Sequence, residues 1–129
     1  MKISKYFSEN ELIVSATGSK LGIKNIPNAK EKEYGLYTAK RMDEVREFLN
    51  VPLIILYWFR CEELNKAVKG SKTSAHRYAL ALDGYSNQMS VKTMYEILLK
   101  AMKEGKLQFD QLIYYPKQNF IHFGFKLDK

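Results

Sequence analysis

The chain contains two histidines, His76 and His122, and an acid, Asp83, seven positions after the first of them. Hydrolytic zinc is held by three protein ligands and keeps one position open for water. Two imidazoles and one carboxylate would fill those three places and leave the ion enough net positive charge to acidify the water. Spacing alone does not establish such a site, because a lone histidine is more often a packed or surface residue. Cysteine is also a zinc ligand, but the single Cys61, directly after Arg60, reads as a small packed side chain.

The elements that must carry these residues can be read from pattern. Ser8-Glu9-Asn10-Glu11 has the spacing of a capping box and predicts a short helix ending near Gly18. Gly22 to Asn28 reads as a turn launching a longer helix, with Leu36, Met42, Val45, Phe48 and Leu49 on one face. Asn50-Val51-Pro52 ends it. Leu53 to Phe59 predicts a buried strand, Glu62 to Val68 one or two helical turns, and Gly70 to Ser74 a polar loop. Tyr78 to Asp83 reads as a second strand. A helix follows from the N-cap Ser90 through Met94, Ile97, Leu98, Ala101 and Met102 to Gly105. Gln108 to Tyr115 and Phe120 to Leu127 predict a hairpin turning at Pro116-Lys117-Gln118-Asn119. Helices come first and most of the sheet later, so the expected class is α+β, a small mostly antiparallel sheet with helices packed around it.

Composition narrows the classes further. A chain of 129 residues, 46% hydrophobic and 27% charged, is of a size and make-up for one folded domain over residues 1–129. The longest apolar run, Val51 to Phe59, is too short to cross a bilayer, which predicts no membrane insertion. The opening MKISKYFSEN lacks an apolar stretch of secretory length, so synthesis in the cytoplasm is expected, with any export through another agent. One cysteine excludes an internal disulfide. The net charge of +7 calls for an acidic partner, but the lysines are dispersed, and a nucleic-acid footprint is not expected.

Longer stretches carry a resemblance. Ser74-Ala75-His76-Arg77-Tyr78-Ala79-Leu80-Ala81-Leu82-Asp83 resembles the pattern S-x-H-x-x-G-x-A-x-D of zinc D-Ala-D-Ala carboxypeptidases, which share a fold with the hedgehog signalling domain. Phe59 to Ser74, Phe7 to Leu12, Ala16 to Asn28 and Phe109 to Tyr114 are similar, in order, to phage-type members of that family. The resemblance implies that His76, Asp83 and His122 bind Zn2+. It also implies that Arg60 holds substrate, its planar fork suiting a carboxylate or peptide carbonyl, and that the Ser74 hydroxyl lies near the metal and binds substrate. For Arg60 a surface ion pair with a glutamate is the alternative, and for Ser74 a turn serine bonded to backbone.

The departures from the pattern bear on catalysis. Ala79 stands where glycine is usual, and Phe120 where tryptophan is common. Tyr115 stands where phage-type relatives carry a glutamate, the expected general base. A phenol of ordinary pKa ~10 is a poor base at neutral pH. Asp110 lies five positions along, about 17 Å on an extended strand. Asn119, three before His122, occupies a place where other branches carry an acid, and an amide cannot accept the proton. The resemblance implies zinc-dependent hydrolysis of peptide bonds in the stem peptide or cross-bridge of bacterial peptidoglycan, with release of the protein to the wall by a partner, and a monomer is expected. The alternative is a degenerate member that binds zinc and wall peptide with little turnover.

Overall fold

The structure is a computed structural model and describes residues 1–127. Its elements run α1 (Glu9–Ile13), α2 (Ala16–Leu21), α3 (Ala29–Leu49), β1 (Ile54–Tyr57), α4 (Glu62–Ala67), a 3-10 turn (Ala75–Tyr78), β2 (Ala81–Tyr85), α5 (Val91–Lys103), β3 (Gln111–Tyr115) and β4 (Phe120–Gly124). The four strands form one antiparallel sheet in the order β1-β2-β4-β3. This is the α+β architecture read from the sequence. Among the described residues no helix is long and apolar enough to cross a membrane.

Alternation divides the sheet into two faces. Leu82, Ile121, Phe123, Leu112 and Tyr114 share one face, and Tyr95 of α5 stacks on Tyr114 there with ring centroids 5.4 Å apart. Val91, Met94, Leu98 and Ala101 of α5 are buried in the same hydrophobic cluster. The opposite face carries Asp83 and Ala81 of β2, His122 and Gly124 of β4, and Gln111, Ile113 and Tyr115 of β3. Beyond β1 the chain turns into the core, where Trp58 and Phe59 are fully buried and Phe7 meets Trp58 edge-on at 6.0 Å.

Several boundaries differ from the sequence reading. The helix expected from Ser8 to Gly18 is two helices. Val14 turns extended, and the Ser15 side chain caps a new start by accepting from the Gly18 N–H. On α3 the buried face runs through Gly35, Thr38, Ala39, Met42, Val45 and Leu49, whereas Leu36 and Phe48 are each 40% exposed. Small residues let neighbours close in: a Cβ on Gly35 would stand 2.9 Å from a Leu12 methyl. The predicted strand starting at Leu53 is shortened, with an irregularity between Ile55 and Tyr57. The hairpin strands are also shorter than predicted, beginning at Gln111 and ending at Gly124.

The largest difference lies before β2. Tyr78 to Leu80 is not strand: Ser74 caps the 3-10 turn, and Ala79 closes it in the left-handed region at φ 63°. The Ala79 carbonyl then accepts from Thr38 Oγ1 at 2.8 Å and Trp58 Nε1 at 3.0 Å, tying the turn to α3 and to the exit of β1. The glycine of the resembled pattern thus answers a backbone requirement, the left-handed conformation that Ala79 adopts here.

Left-handed backbone costs a residue with a Cβ about 1–2 kcal/mol. Ala79→Gly relieves that cost, but it loosens the unfolded chain by about 0.4–1 kcal/mol and removes a fully buried methyl worth roughly 0.8 kcal/mol. Ala79→Gly is expected to change stability by less than about 1 kcal/mol in urea unfolding. Ala79→Val, which adds β-branched strain and overpacking, is expected to lose at least about 2 kcal/mol.

Candidate metal centre

Three elements bring the site together. The 3-10 turn presents His76, β2 presents Asp83, and β4 presents His122 as the direct cross-strand partner of Asp83. One ligand atom from each lies within 4.8 Å of the others. His76 and Asp83 are buried and His122 is half-buried. The two imidazoles stand 5.1 Å apart, steeply inclined to one another.

The hydrogen bonds around the triad set its chemistry. His76 Nδ1 lies 2.8 Å from the Trp58 carbonyl, which can only accept, so this nitrogen carries the proton. Its Nε2 lone pair is left facing Asp83 Oδ1 at 3.3 Å. His122 Nδ1 lies 2.9 Å from the same carboxylate oxygen, and its Nε2 lies 2.8 Å from the Gln111 amide oxygen. Each ring is thus engaged on its far side by an oxygen acceptor, and the near nitrogens converge with Asp83 Oδ1 on one point. When the near nitrogens instead carry protons and donate to Asp83, their hydrogen bonds and charge outweigh the burial that pushes its carboxyl up, and hold it below its ordinary value. With those protons gone, all three converging atoms are acceptors. Three acceptors crowded in this way repel one another unless a cation lies between them. The donor set, two nitrogens and one carboxylate oxygen, fits zinc.

Arg60 and Ser74 border the triad. The Arg60 N–H donates to the His76 carbonyl at 2.9 Å, and its Nη2 donates to Ser74 Oγ at 2.8 Å. Ser74 Oγ also accepts from the His76 N–H at 3.3 Å, which leaves its own proton free to donate. Arg60 forms no ion pair among the described residues, and its buried Nε has no partner there. Burial lowers the pKa of the guanidinium, and the Asp83 charge opposes that effect. The surface ion pair weighed from the sequence is therefore absent among the described residues, while the capping role of Ser74 is present alongside its place at the site.

Tyr115 lies on the His122 face of the sheet, two residues along β3 from Ile113, which pairs with His122. Its ring stacks on Phe120 at 4.9 Å and is 37% exposed. Neither nearby alternative replaces the missing glutamate. Asn119 is a turn residue at φ 61°, its N–H donating to the Tyr115 carbonyl, which explains the amide at that position. β3 is regular from Gln111 onward, and the Asp110 carboxylate pairs with Lys126 at 3.4 Å. Among the described residues Asp83 is the only carboxylate in contact with either histidine. Cys61 caps α4 and lies outside the triad.

Sequence reasoning missed Gln111 and the Trp58 carbonyl. A signal for Gln111 existed in the alternation Gln111, Ile113, Tyr115, which puts all three on one face once Tyr115 is assigned to the site. The backbone carbonyl left none. A family model described as Peptidase M15 matches residues 5–124. No curated protein matches the chain.

The Ser74 hydroxyl accepts from the turn and from Arg60 at once, so its removal should be felt in the fold. Ser74→Ala is expected to lower stability by about 1 kcal/mol, the usual value of a lost cap. Ser74→Thr, which keeps the acceptor, should lose less in the same urea titration.

Proposed function

The chain belongs to the peptidase M15 family of D-Ala-D-Ala carboxypeptidase-like metallopeptidases, and we propose that it is a zinc-dependent peptidase hydrolysing peptide bonds in the stem peptide or cross-bridge of bacterial peptidoglycan. The observation that carries this reading is the convergence of His76 Nε2, Asp83 Oδ1 and His122 Nδ1, with the far nitrogen of each ring held by an oxygen acceptor. When bound, zinc supplies a Lewis acid that polarises a peptide carbonyl and acidifies water. His76, Asp83 and His122 would hold it.

The remaining work falls to side chains around the triad. The Arg60 guanidinium is already oriented by its Nη2 bond to Ser74, so it is preorganised for a carboxylate or carbonyl of the peptide. The Ser74 hydroxyl proton is free to donate to a second oxygen of the same group. Exposed Ile113 and Tyr115 flank His122 along β3 and provide an apolar surface for the peptide side chains. The net charge of +7 draws the protein toward an anionic wall. Such a role places it in the cell wall after release by a partner.

Purified protein is expected to carry about one zinc per chain, as for a site of three protein ligands. Both His76→Ala and His122→Ala should lose it by metal analysis. Digestion of purified peptidoglycan, followed by mass analysis of released peptides, should show chelator-sensitive cleavage. Equal zinc in all three proteins would refute the ligand assignment, and cleavage unaffected by chelator would refute the reaction.

A second reading, a zinc and wall-peptide binder with little turnover, is favoured by one observation. Among the described residues no free carboxylate stands beside the triad where a general base belongs, since Tyr115 is stacked on Phe120, Asn119 is in the turn and Asp110 is paired with Lys126. Residue 115 lies two strand positions from the partner of His122, roughly 7 Å, so an acid there would be near the centre. Tyr115→Glu is therefore expected to raise kcat on a stem peptide by up to roughly 10²–10⁴-fold, the usual contribution of a positioned base, with zinc affinity unchanged. A wild-type enzyme slowed by that substitution would show that another group takes the proton.

A further inference from the structure

The two histidines of the triad are oriented by different means. His76 is fixed by a main-chain carbonyl, but His122 depends on the side chain of Gln111. Among the described residues that amide makes no other hydrogen bond. Gln111 does not face His122 directly: its cross-strand partner is Gly124, and His122 is the diagonal neighbour two residues away. The amide must therefore pass over position 124 to reach the ring. A Cβ at Gly124 would stand 2.8 Å from Gln111 Oε1, 3.0 Å from its Cβ and 3.4 Å from its Cγ. Gly124 is not among the residues of positive φ, so its backbone makes no demand for glycine. What it supplies is the space.

We infer that Gln111 and Gly124 act as a positioning pair for the metal centre. The amide oxygen of Gln111 keeps the proton on His122 Nε2 and commits the Nδ1 lone pair to a divalent cation, and Gly124 is the bare position that admits the amide. The inference rests on the reading of His76, Asp83 and His122 as metal ligands. Its physical basis is the outer-shell rule that a ligating imidazole donates its second N–H to an acceptor that fixes the ring, with losses of about 10–100-fold in metal affinity when the acceptor is removed. His122 is half-buried, so water replaces part of the lost bond and the lower end of that range applies.

The test is the zinc dissociation constant, measured by competition with a chromophoric chelator. It is paired with the exchange rate of the His122 ring N–H in 15N-labelled zinc-loaded protein. Gln111→Leu and Gly124→Ala should each weaken zinc about 10-fold and speed exchange of the ring proton. Gln111→Glu, which keeps an acceptor oxygen, should retain wild-type affinity. The double variant Gln111→Leu/Gly124→Ala should bind no more weakly than the weaker single variant, because both changes remove the same contact. The melting temperature of metal-free Gln111→Leu should match wild type. Wild-type affinity and a protected ring proton in Gln111→Leu would overturn the pair, as would fully additive losses in the double variant. Wild-type protein binding zinc no better than His122→Ala would overturn the ligand assignment and the pair together, an outcome distinct from a tight wild type indifferent to Gln111.

Discussion

A single carboxylate oxygen, Asp83 Oδ1, faces both imidazoles, and much of the surrounding structure serves to keep it there. Burying an acid between two lone pairs is unfavourable on its own, and it persists only when neighbouring groups or a bound cation offset the loss of hydration. The flanking acceptors decide which nitrogen of each ring turns inward. The Trp58 carbonyl is available because the chain leaves β1 into the core at that residue, with the indole buried and its Nε1 bonded to Ala79. The His76 ring is thus held by the Trp58 carbonyl, while the Trp58 indole holds the end of the turn at Ala79.

That turn also couples the site to the helical layer. Thr38 of α3 donates to the Ala79 carbonyl that receives the Trp58 indole, and Arg60 donates through its main chain to His76. The turn, the buried helix and the exit of β1 therefore share a few polar contacts in an otherwise apolar interior. Such contacts are costly when broken singly, so they favour one arrangement of the turn over its alternatives. A short 3-10 segment, poor in packing of its own, is tied down at His76 and Ala79 in this way.

The parts of this design that were legible in the sequence are those governed by local chemistry. Ser8 and Ser90 cap their helices through side-chain oxygens, the turn ending at Asn28 launches α3, and the hairpin turns between Tyr115 and Phe120, at positions where residue type alone decides. The triad was legible because the chain has only two histidines and both stand at motif positions. What failed did so for tertiary reasons. Leu36 and Phe48 looked like core because they are large, while the buried face of α3 is marked by Gly35, Thr38 and Ala39, whose small size allows close approach. Tyr78 to Leu80 has strand composition, but Ser74 offers a cap and Ala79 accepts left-handed backbone for the bonds it gains. Gln111 reads as an ordinary polar strand residue until the register shows it crossing a glycine.

The order of strands in space is not their order in sequence. β4, the last of the four strands along the chain, lies in the interior of the sheet between β2 and β3. Until it docks, β2 presents an unpaired edge, and the half-site formed by His76 and Asp83 lacks its third member. Closing the sheet therefore requires contacts between residues 39 positions apart, and such long-range pairing is slow compared with helix formation. During synthesis an open, partly apolar strand edge waits for the hairpin, the kind of surface on which nascent chains associate. The three-residue cluster is then completed late in folding, and a chain that stops short of Phe120 has neither the closed sheet nor the full cluster.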